Sequence, residues 1–548
     1  MKESLISKFI TQQHHQDVLF VAYICLGALA LRHVAMAREI FRSKIILYLA
    51  TGFGTLAIAI YVMTLVSYLR YPNYVDHIEV TVASVSWLGV HGHALYPNWV
   101  TDDVYGIGYG PILFLLHGLF LLVDPTITIS KALGVASLLI AFGLIFVVIK
   151  QTVSNNLTAI FVIGSLVMLF APFGPFAYWT RAEPFLILIS TLSLLVAINL
   201  RSFAAVAIIG ALAGVAAGFK IPGFIYVAPL AMMTLARVET SHGRFILAII
   251  GVACAAIFAL LPFCLKESSL VSYSQYVHLA ADHGLSIDAF KANLLFALVL
   301  FAPIVGIWFW RKPGINYETF WLLVGLCIST AIVVVVGSVS GPYHLLPFAP
   351  LCLYAVILVT GVAEANQIIA ILFLVLLLAY GPGGYVLNSQ LMEYWSRNSE
   401  TEREKIVELQ TYLDKYPGAE IGFSDNKHDP DTNYRIFSVL NGHTLRVDFS
   451  AWREMAVGVD EKNIIRFIRG CEVPTWILPL GPAFAKLSWY TKRPMLSDDF
   501  RRIFSVNYEL TQTGKFYQVW ECRKQKAELV DKQFFTRLAK IYPKQVIE

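Results

Sequence analysis

The sequence predicts a polytopic α-helical membrane protein that ends in a soluble α/β domain. Three observations predict it. Of the 548 residues, 57% are hydrophobic and only 14% charged, where soluble domains carry about 25% charged residues. Mean hydropathy is +0.63. Apolar runs long enough to cross a hydrocarbon core of about 30 Å recur from Asp17 to Leu387. From about Gly384 onward the composition turns abruptly polar.

Spans are expected at roughly 17–33, 45–68, 131–149, 157–172, 184–200, 203–219, 222–236, 245–263, 291–310, 319–338, 344–362 and 367–385, twelve in all. "IGYGPILFLLHGLFLLV" (Ile107–Val123) is apolar enough to be another, but parity argues against it. The loop after the first span carries Arg32, Arg38, Arg42 and Lys44, which marks it as cytoplasmic. With 107–123 left out, Lys150, Arg201, Arg237, Arg244, Arg311 and Lys312 share that side; counted in, it moves all of them outside. The segment is therefore expected to lie at the interface or to re-enter the membrane, and Gly106, Gly108, Gly110 and Pro111 suit such an entry.

Past the last span, "SRNSETEREKIVELQTYLDKYPGAEIGFSDN" reads as a charged helix, a turn and a strand, and "TWILPLG" and "KFYQVWECRK" as strands. Residues 388–548 are thus expected to form an extracytoplasmic α/β domain behind a membrane domain of 1–387. Tryptophans 452, 476 and 489 suit its core better than a sugar-stacking face. Cys25, Cys254, Cys264, Cys327 and Cys352 lie in apolar segments, as small hydrophobes do. Cys471 and Cys522 are free to pair if their region is extracytoplasmic. The chain shows no Cys/His metal spacing, no basic patch interleaved with aromatics for nucleic acid and no removable signal segment.

This topology puts the unusual polar residues on one face. Ionisable groups at membrane depth are costly and point to function. "NYVDHIE" brings Asp76 and Glu79, which on a helix from 76 to 90 would share a face. Such a pair serves as a general base with a helper, as ligands of a hard cation, or as the acidic cap of an interfacial helix. "YWTRAEP" brings Arg181 and Glu183, an ion pair or an aromatic-belt anchor with Tyr178 and Trp179. Lys220 in "AGFKIPG" either snorkels to the interface or awaits a phosphate. Tyr343 and His344 in "GPYHLLPFAP" cap a span or donate to a phosphate or sugar. Asp102 and Asp103 in "NWVTDDVYG" are a solvated turn or bind sugar hydroxyls. His278, Asp282 and His283 fall in "HLAADHGLSIDAFKAN", a solvated loop or a lid.

The order of these elements resembles the GT-C superfamily of membrane glycosyltransferases. It is most similar to the branch holding protein O-mannosyltransferases and lipid A aminoarabinose transferases. The "YVDHIE" loop matches the family's catalytic-Asp loop. "YGIGYGPILFLL" matches its juxtamembrane element, "TRAEP" its Arg-and-acid loop, and "YHLLPFAP" its late motif. The match covers roughly residues 60–365. The chain departs from the family in an additional span before the Asp loop, and in Glu183 where Asp is common.

The resemblance implies transfer of a sugar from a polyprenyl phosphate to an acceptor hydroxyl on the extracytoplasmic face, with inversion, in a bacterial inner membrane. Asp76 would be the base, and Glu79 would orient the acceptor or a metal. Lys220, Arg181, His344 and Tyr343 would bind the donor phosphate; Glu183, Asp102, Asp103 and His278 the sugar or acceptor. A divalent cation, Mg or Mn, if used, would fall to Asp76, Glu79 and Glu183. The acceptor is a glycan, lipid or protein. The competing reading is a multi-span transporter or flippase of a lipid-linked or small polar substrate. Repeat-related halves with broken helices would mark it, and no second copy of the Asp76 pattern is found. An assembly subunit is a third reading, but it gives no reason for Lys220 inside an apolar run.

Overall fold

The computed structural model describes residues 2–33, 43–99, 102–281, 285–311, 313–337, 341–424, 433–449, 461–485 and 494–523. Arg38, Arg42, Asp282, His283, Lys312, Trp452 and Trp489 lie outside the described residues.

The chain is a helical bundle. In order its helices are α1 (Lys2–His33), α2 (Lys44–Arg70), α3 (His77–Val90), α4 (Pro111–Val123), α5 (Ile127–Val153), α6 (Asn156–Phe170), α7 (Ala182–Asn199), α8 (Ser202–Phe219), α9 (Ala228–Ala236), α10 (Ser241–Leu260), α11 (Leu270–Ala281), α12 (Ile287–Arg311), α13 (Tyr317–Val336), α14 (Ala349–Thr360) and α15 (Val362–Lys415). Among the described residues, eleven helical segments are long and apolar enough to cross a bilayer. The expected span at 222–236 is not among them. Pro222 restricts the backbone there, and a 3-10 turn (Ile221–Tyr226) precedes the short α9. The ends of this broken segment nonetheless meet both ends of α7. Lys220 pairs with Glu183 at one, and Arg237 donates to the Ala197 carbonyl at the other. It runs the length of a neighbouring span.

The apolar helix α4 does not. It begins at Gly110, whose N–H bonds Phe219 O (3.1 Å), and leads into α5, whose Lys131 Nζ donates to Tyr68 O (2.8 Å) and Tyr71 O (2.7 Å). Phe219, Tyr68 and Tyr71 all lie at the same end of the bundle as Asp76. So α4 starts and finishes at one end, packed antiparallel on α3, with Gly118 against the Ser86 carbonyl. Arg32, Arg237, Arg244 and Arg311 gather at the opposite end, where Arg237 pairs with Glu318 (2.7 Å) and Arg311 with Glu364.

Small residues set the tightest helix contact. Gly210 and Gly214 on α8 meet the carbonyls of Gly251 and Ala255 on α10. Without a hydrophobic drive between helices in lipid, such close backbone approach supplies the packing energy. Otherwise α10 buries no residue, and Phe245, Val252 and Ile257 point outward.

Helix α15 crosses the 387/388 composition boundary without a break and ends at Lys415. Beyond it lie β1 (Glu420–Ile421), α16 (Arg435–Leu440), α17 (Lys462–Gly470), β2 (Thr475–Pro479), α18 (Asp498–Asn507), β3 (Tyr508–Thr513) and β4 (Tyr517–Cys522). The strands form one sheet in the order β1-β2-β4-β3; β1 and β2 are parallel and the other pairs antiparallel. Trp476 is fully buried. Cys471, in a left-handed turn after α17, is disulfide-bonded to Cys522 at the end of β4, with Cα atoms 6.0 Å apart.

Candidate functional site

Four separated segments deliver charge to one place. Asp76 is the N-cap of α3, with extended backbone, not a residue of its helical face. The chain between α6 and α7 is broken by Pro172 and Pro175 into a 3-10 turn (Ala171–Ala177), which presents Trp179 and Arg181. Glu183 sits in the first turn of α7, where the helix dipole favours an anion. Lys220 is the C-cap of α8, where it favours a cation. Tyr343 and His344 lie in a 3-10 turn (Pro342–Phe348) that opens α14. Backbone freed by these breaks must be satisfied internally. Tyr226 Oη donates to His344 O (2.8 Å) and Ser190 Oγ to Pro347 O (2.8 Å).

Arg181 is the hub. Its Nη1 lies 3.3 Å from Asp76 Oδ2, Nε donates to Tyr109 Oη (2.7 Å), and Nη2 lies 3.5 Å from Tyr343 Oη. Its guanidinium stacks over Trp179, 4.0 Å from the ring centre. Glu183 Oε1 accepts from Lys220 Nζ (3.2 Å) and Oε2 from Trp179 Nε1 (3.0 Å). Lys220 Nζ is also 3.1 Å from His344 Nδ1. Asp76, Arg181, Glu183, Lys220, Tyr343 and His344 are therefore brought together. The side chains of Asp76 and Lys220 are 21% and 18% exposed against 1% for Glu183.

Burial opposes ionisation of Asp76, but His77 (Nδ1 to Oδ1, 3.0 Å) and Arg181 outweigh it and hold the carboxyl well below its usual range. Burial pulls Lys220 down, and Glu183 offsets part of that.

Glu79 turns away from this cluster and is fully buried. It completes a capping box with Asp76: Oε2 accepts from the amides of Val75 (3.0 Å) and Asp76 (3.1 Å). Oε1 accepts from Thr180 N (3.0 Å) and the Tyr68 hydroxyl. One carboxylate thus ties the turn carrying Asp76 to the turn carrying Arg181.

No family model, no curated protein and no solved structure matches this chain. The site is read from its own geometry.

Besides Glu79, three expected site residues lie apart from the cluster. Asp102 is exposed, with Oδ2 3.3 Å from Asn98 N. Asp103 pairs with Arg446 (2.8 Å). His278 is on α11, exposed, with Nδ1 against Ser274 O (2.6 Å). That helix packs onto the loop through Tyr276 Oη, which donates to Pro97 O and Tyr105 O. Sequence reasoning missed Tyr109, His77 and Lys131. Tyr109 lies inside the quoted "YGIGYGP" and His77 beside Asp76. Lys131 follows a polar stretch and opens the expected 131–149 span, so it carries no such signal. Among the described residues no group of three or more His, Cys, Asp and Glu is arranged to hold a metal.

Proposed function

We propose that the chain is an integral-membrane glycosyltransferase of the GT-C type. It would move a sugar from a polyprenyl phosphate to an acceptor hydroxyl on the extracytoplasmic side of a bacterial inner membrane, the side on which the C-terminal sheet is read as an α/β domain. One observation carries the reading. An accessible carboxylate, Asp76, and an accessible cation, Lys220, stand at two edges of one buried charge cluster at one end of the bundle. The arrangement suits a lipid phosphate arriving from the membrane and a hydroxyl arriving from outside. A transporter needs its polar groups along a path, and these are at one level.

In this reading Lys220, His344 and Arg181 bind the phosphate, with Tyr343 donating. As the acceptor oxygen bonds to the anomeric carbon, its proton passes to Asp76. The bond from that carbon to the phosphate oxygen breaks, and the electron pair leaves on a phosphate stabilised by preorganised donors. Attack from the opposite face inverts the centre. A carboxylate held strongly acidic is a poor base. Donor binding relieves part of this: the phosphate draws Arg181 from Asp76, whose 3.3 Å contact is longer than the 2.7 Å bond to Tyr109, while His77 stays against Oδ1. Glu79 is saturated by donors and Glu183 is held by Lys220 and Trp179, so they do not fit the ligand set of a divalent cation, and no step runs through one.

The test is transfer from radiolabelled polyprenyl-phosphate sugars to cell-envelope acceptors by purified protein. Wild type is expected to transfer; folded Asp76→Asn is expected to bind donor and transfer at least about a hundredfold more slowly. Transfer unchanged in Asp76→Asn removes the assigned base. Movement of labelled lipid or solute across proteoliposomes without any transfer overturns the enzyme reading in favour of a transporter.

A further inference from the structure

Helix α17 (Lys462–Gly470) has a face that none of the interactions above uses. Its Ile464, Phe467 and Ile468 are buried. Asn463 holds the helix to the carbonyls of Trp99 (2.9 Å) and Asp102 (2.6 Å), and the Cys471–Cys522 bridge fixes its far end. Lys462, Arg466 and Arg469, at helical spacing on another face, are exposed. With Ile465, Gly470 and Glu472 they line a cavity of about 510 Å³, within the size range of small-molecule sites.

The charge of this cavity is lopsided. Three cations face one carboxylate, an excess of two positive charges. Glu472 Oε1 lies 3.6 Å from Arg466 Nε, and the two side chains are 39% and 50% exposed. An exposed pair at that distance contributes little, so Glu472 yields to a stronger anion. Like charges three and four residues apart on a helix repel one another. An anion shared between them turns that repulsion into attraction.

We propose that this cavity binds a phosphate group. A phosphate monoester carries about 1.5 to 2 negative charges at neutral pH, which matches the excess; a carboxylate brings one and leaves half of it uncompensated. Arg466 and Arg469 offer forked N–H donors suited to phosphate oxygens. Through Asn463 the cavity adjoins the loop that runs on to Tyr109, the partner of Arg181. The inference does not depend on the transferase reading. The phosphate is carried by a lipid headgroup or by a soluble molecule; the recognising chemistry is shared, and the experiment separates the two sources.

Full-length protein in phosphatidylcholine nanodiscs is treated with phenylglyoxal, which modifies arginines, and the modified positions are mapped by mass spectrometry. Inorganic phosphate is expected to protect Arg466 and Arg469; at about ten times the half-protecting concentration, their modification slows about tenfold. Arg502 on α18, with its side chain 69% exposed, is expected to react unchanged, and chloride at equal ionic strength to protect neither Arg466 nor Arg469. Glu472→Gln removes the competing carboxylate and is expected to lower the half-protecting concentration by up to about fivefold. Nanodiscs containing phosphatidic acid, without free phosphate, identify the source. Protection there assigns a lipid headgroup, and protection by dissolved phosphate alone assigns a soluble molecule; both support the site. No protection by either probe overturns it, as does equal protection by chloride or equal protection of Arg502.

Discussion

Glu79→Gln tests the brace between the Asp76 and Arg181 turns. The glutamine offers one acceptor oxygen where the carboxylate offers two. The Val75 and Asp76 amides claim that oxygen, because backbone N–H groups cannot reverse. The amide nitrogen then faces Tyr68 and Thr180. The Tyr68 hydroxyl rotates to accept from it; the Thr180 N–H, 3.0 Å from Glu79 Oε1 in the native protein, has nowhere to turn. One orphaned buried amide costs about 1–3 kcal/mol. It also slackens the turn that holds Arg181, and a displacement of about 1 Å at a reacting group lowers a rate by about a hundredfold. Glu79→Gln is therefore expected to fold with unfolding free energy reduced by about 1–3 kcal/mol and to transfer about 10- to 100-fold more slowly. Glu79→Ala strands all four donors, a cost on the order of 4–12 kcal/mol against a net stability of about 5–15, and is expected not to accumulate. Denaturant unfolding and the transfer assay read the two effects. A glutamine variant with wild-type rate and stability would refute the brace.

Three further outcomes follow from the same geometry. The Cys471–Cys522 bridge closes a loop with sequence separation 51, worth about 4 kcal/mol in the chain-entropy account; Cys471→Ser is expected to unfold the C-terminal region at lower denaturant, with no added effect of reductant. Glu420 is buried and pushed up to about 8 by burial, against bonds from Arg446 N (2.7 Å) and Thr444 Oγ1 (3.3 Å). A raised carboxyl contributes stability that is full below its ordinary value of 4.5 and lost as pH rises through about 8. Glu420→Gln is expected to flatten that loss between pH 4.5 and 8, as unfolding at a series of pH values would show. Gly214→Leu drives a side chain into the Ala255 carbonyl and is expected to cost at least about 1–3 kcal/mol, read as loss of the monodisperse protein in detergent.

Most of the cluster was legible because its members break a rule. Lys220, Arg181 and Glu183 interrupt apolar sequence, and His344 opens a span between prolines. Side assignment by arginines then put all of them on one face without any knowledge of contacts. The same reasoning placed α4 correctly at one end of the bundle. It failed where the local pattern has two solutions. Asp76 and Glu79 share a helical face only if the helix starts before Asp76, and the capping box starts it after. The span at 222–236 looked continuous because hydropathy does not register the backbone limits imposed by Pro222.

The C-terminal region explains why the Asp76 loop has one shape. Asn73 donates to Glu402 (2.7 Å), which also accepts from Tyr434 (2.6 Å), and Asn433 reaches Tyr74 O (3.3 Å). Thr81 donates to Asp448 (2.6 Å), itself paired with buried Arg435 (3.0 Å). Val104 pairs with Val447 as an isolated parallel bridge, and Asn463 reaches the carbonyls of Trp99 and Asp102. These attachments fall between residues 73 and 104, the stretch that begins just before Asp76. Breaking one partner of a buried pair such as Arg435–Asp448 costs about 3–5 kcal/mol, so these contacts are rigid on the scale that matters for positioning. The helices bring Arg181, Glu183, Lys220 and His344 together through their own packing. Asp76 lies on a segment whose far side is held by the C-terminal region. The placement of Asp76 against the cations therefore depends on a part of the chain that contributes no residue to the cluster.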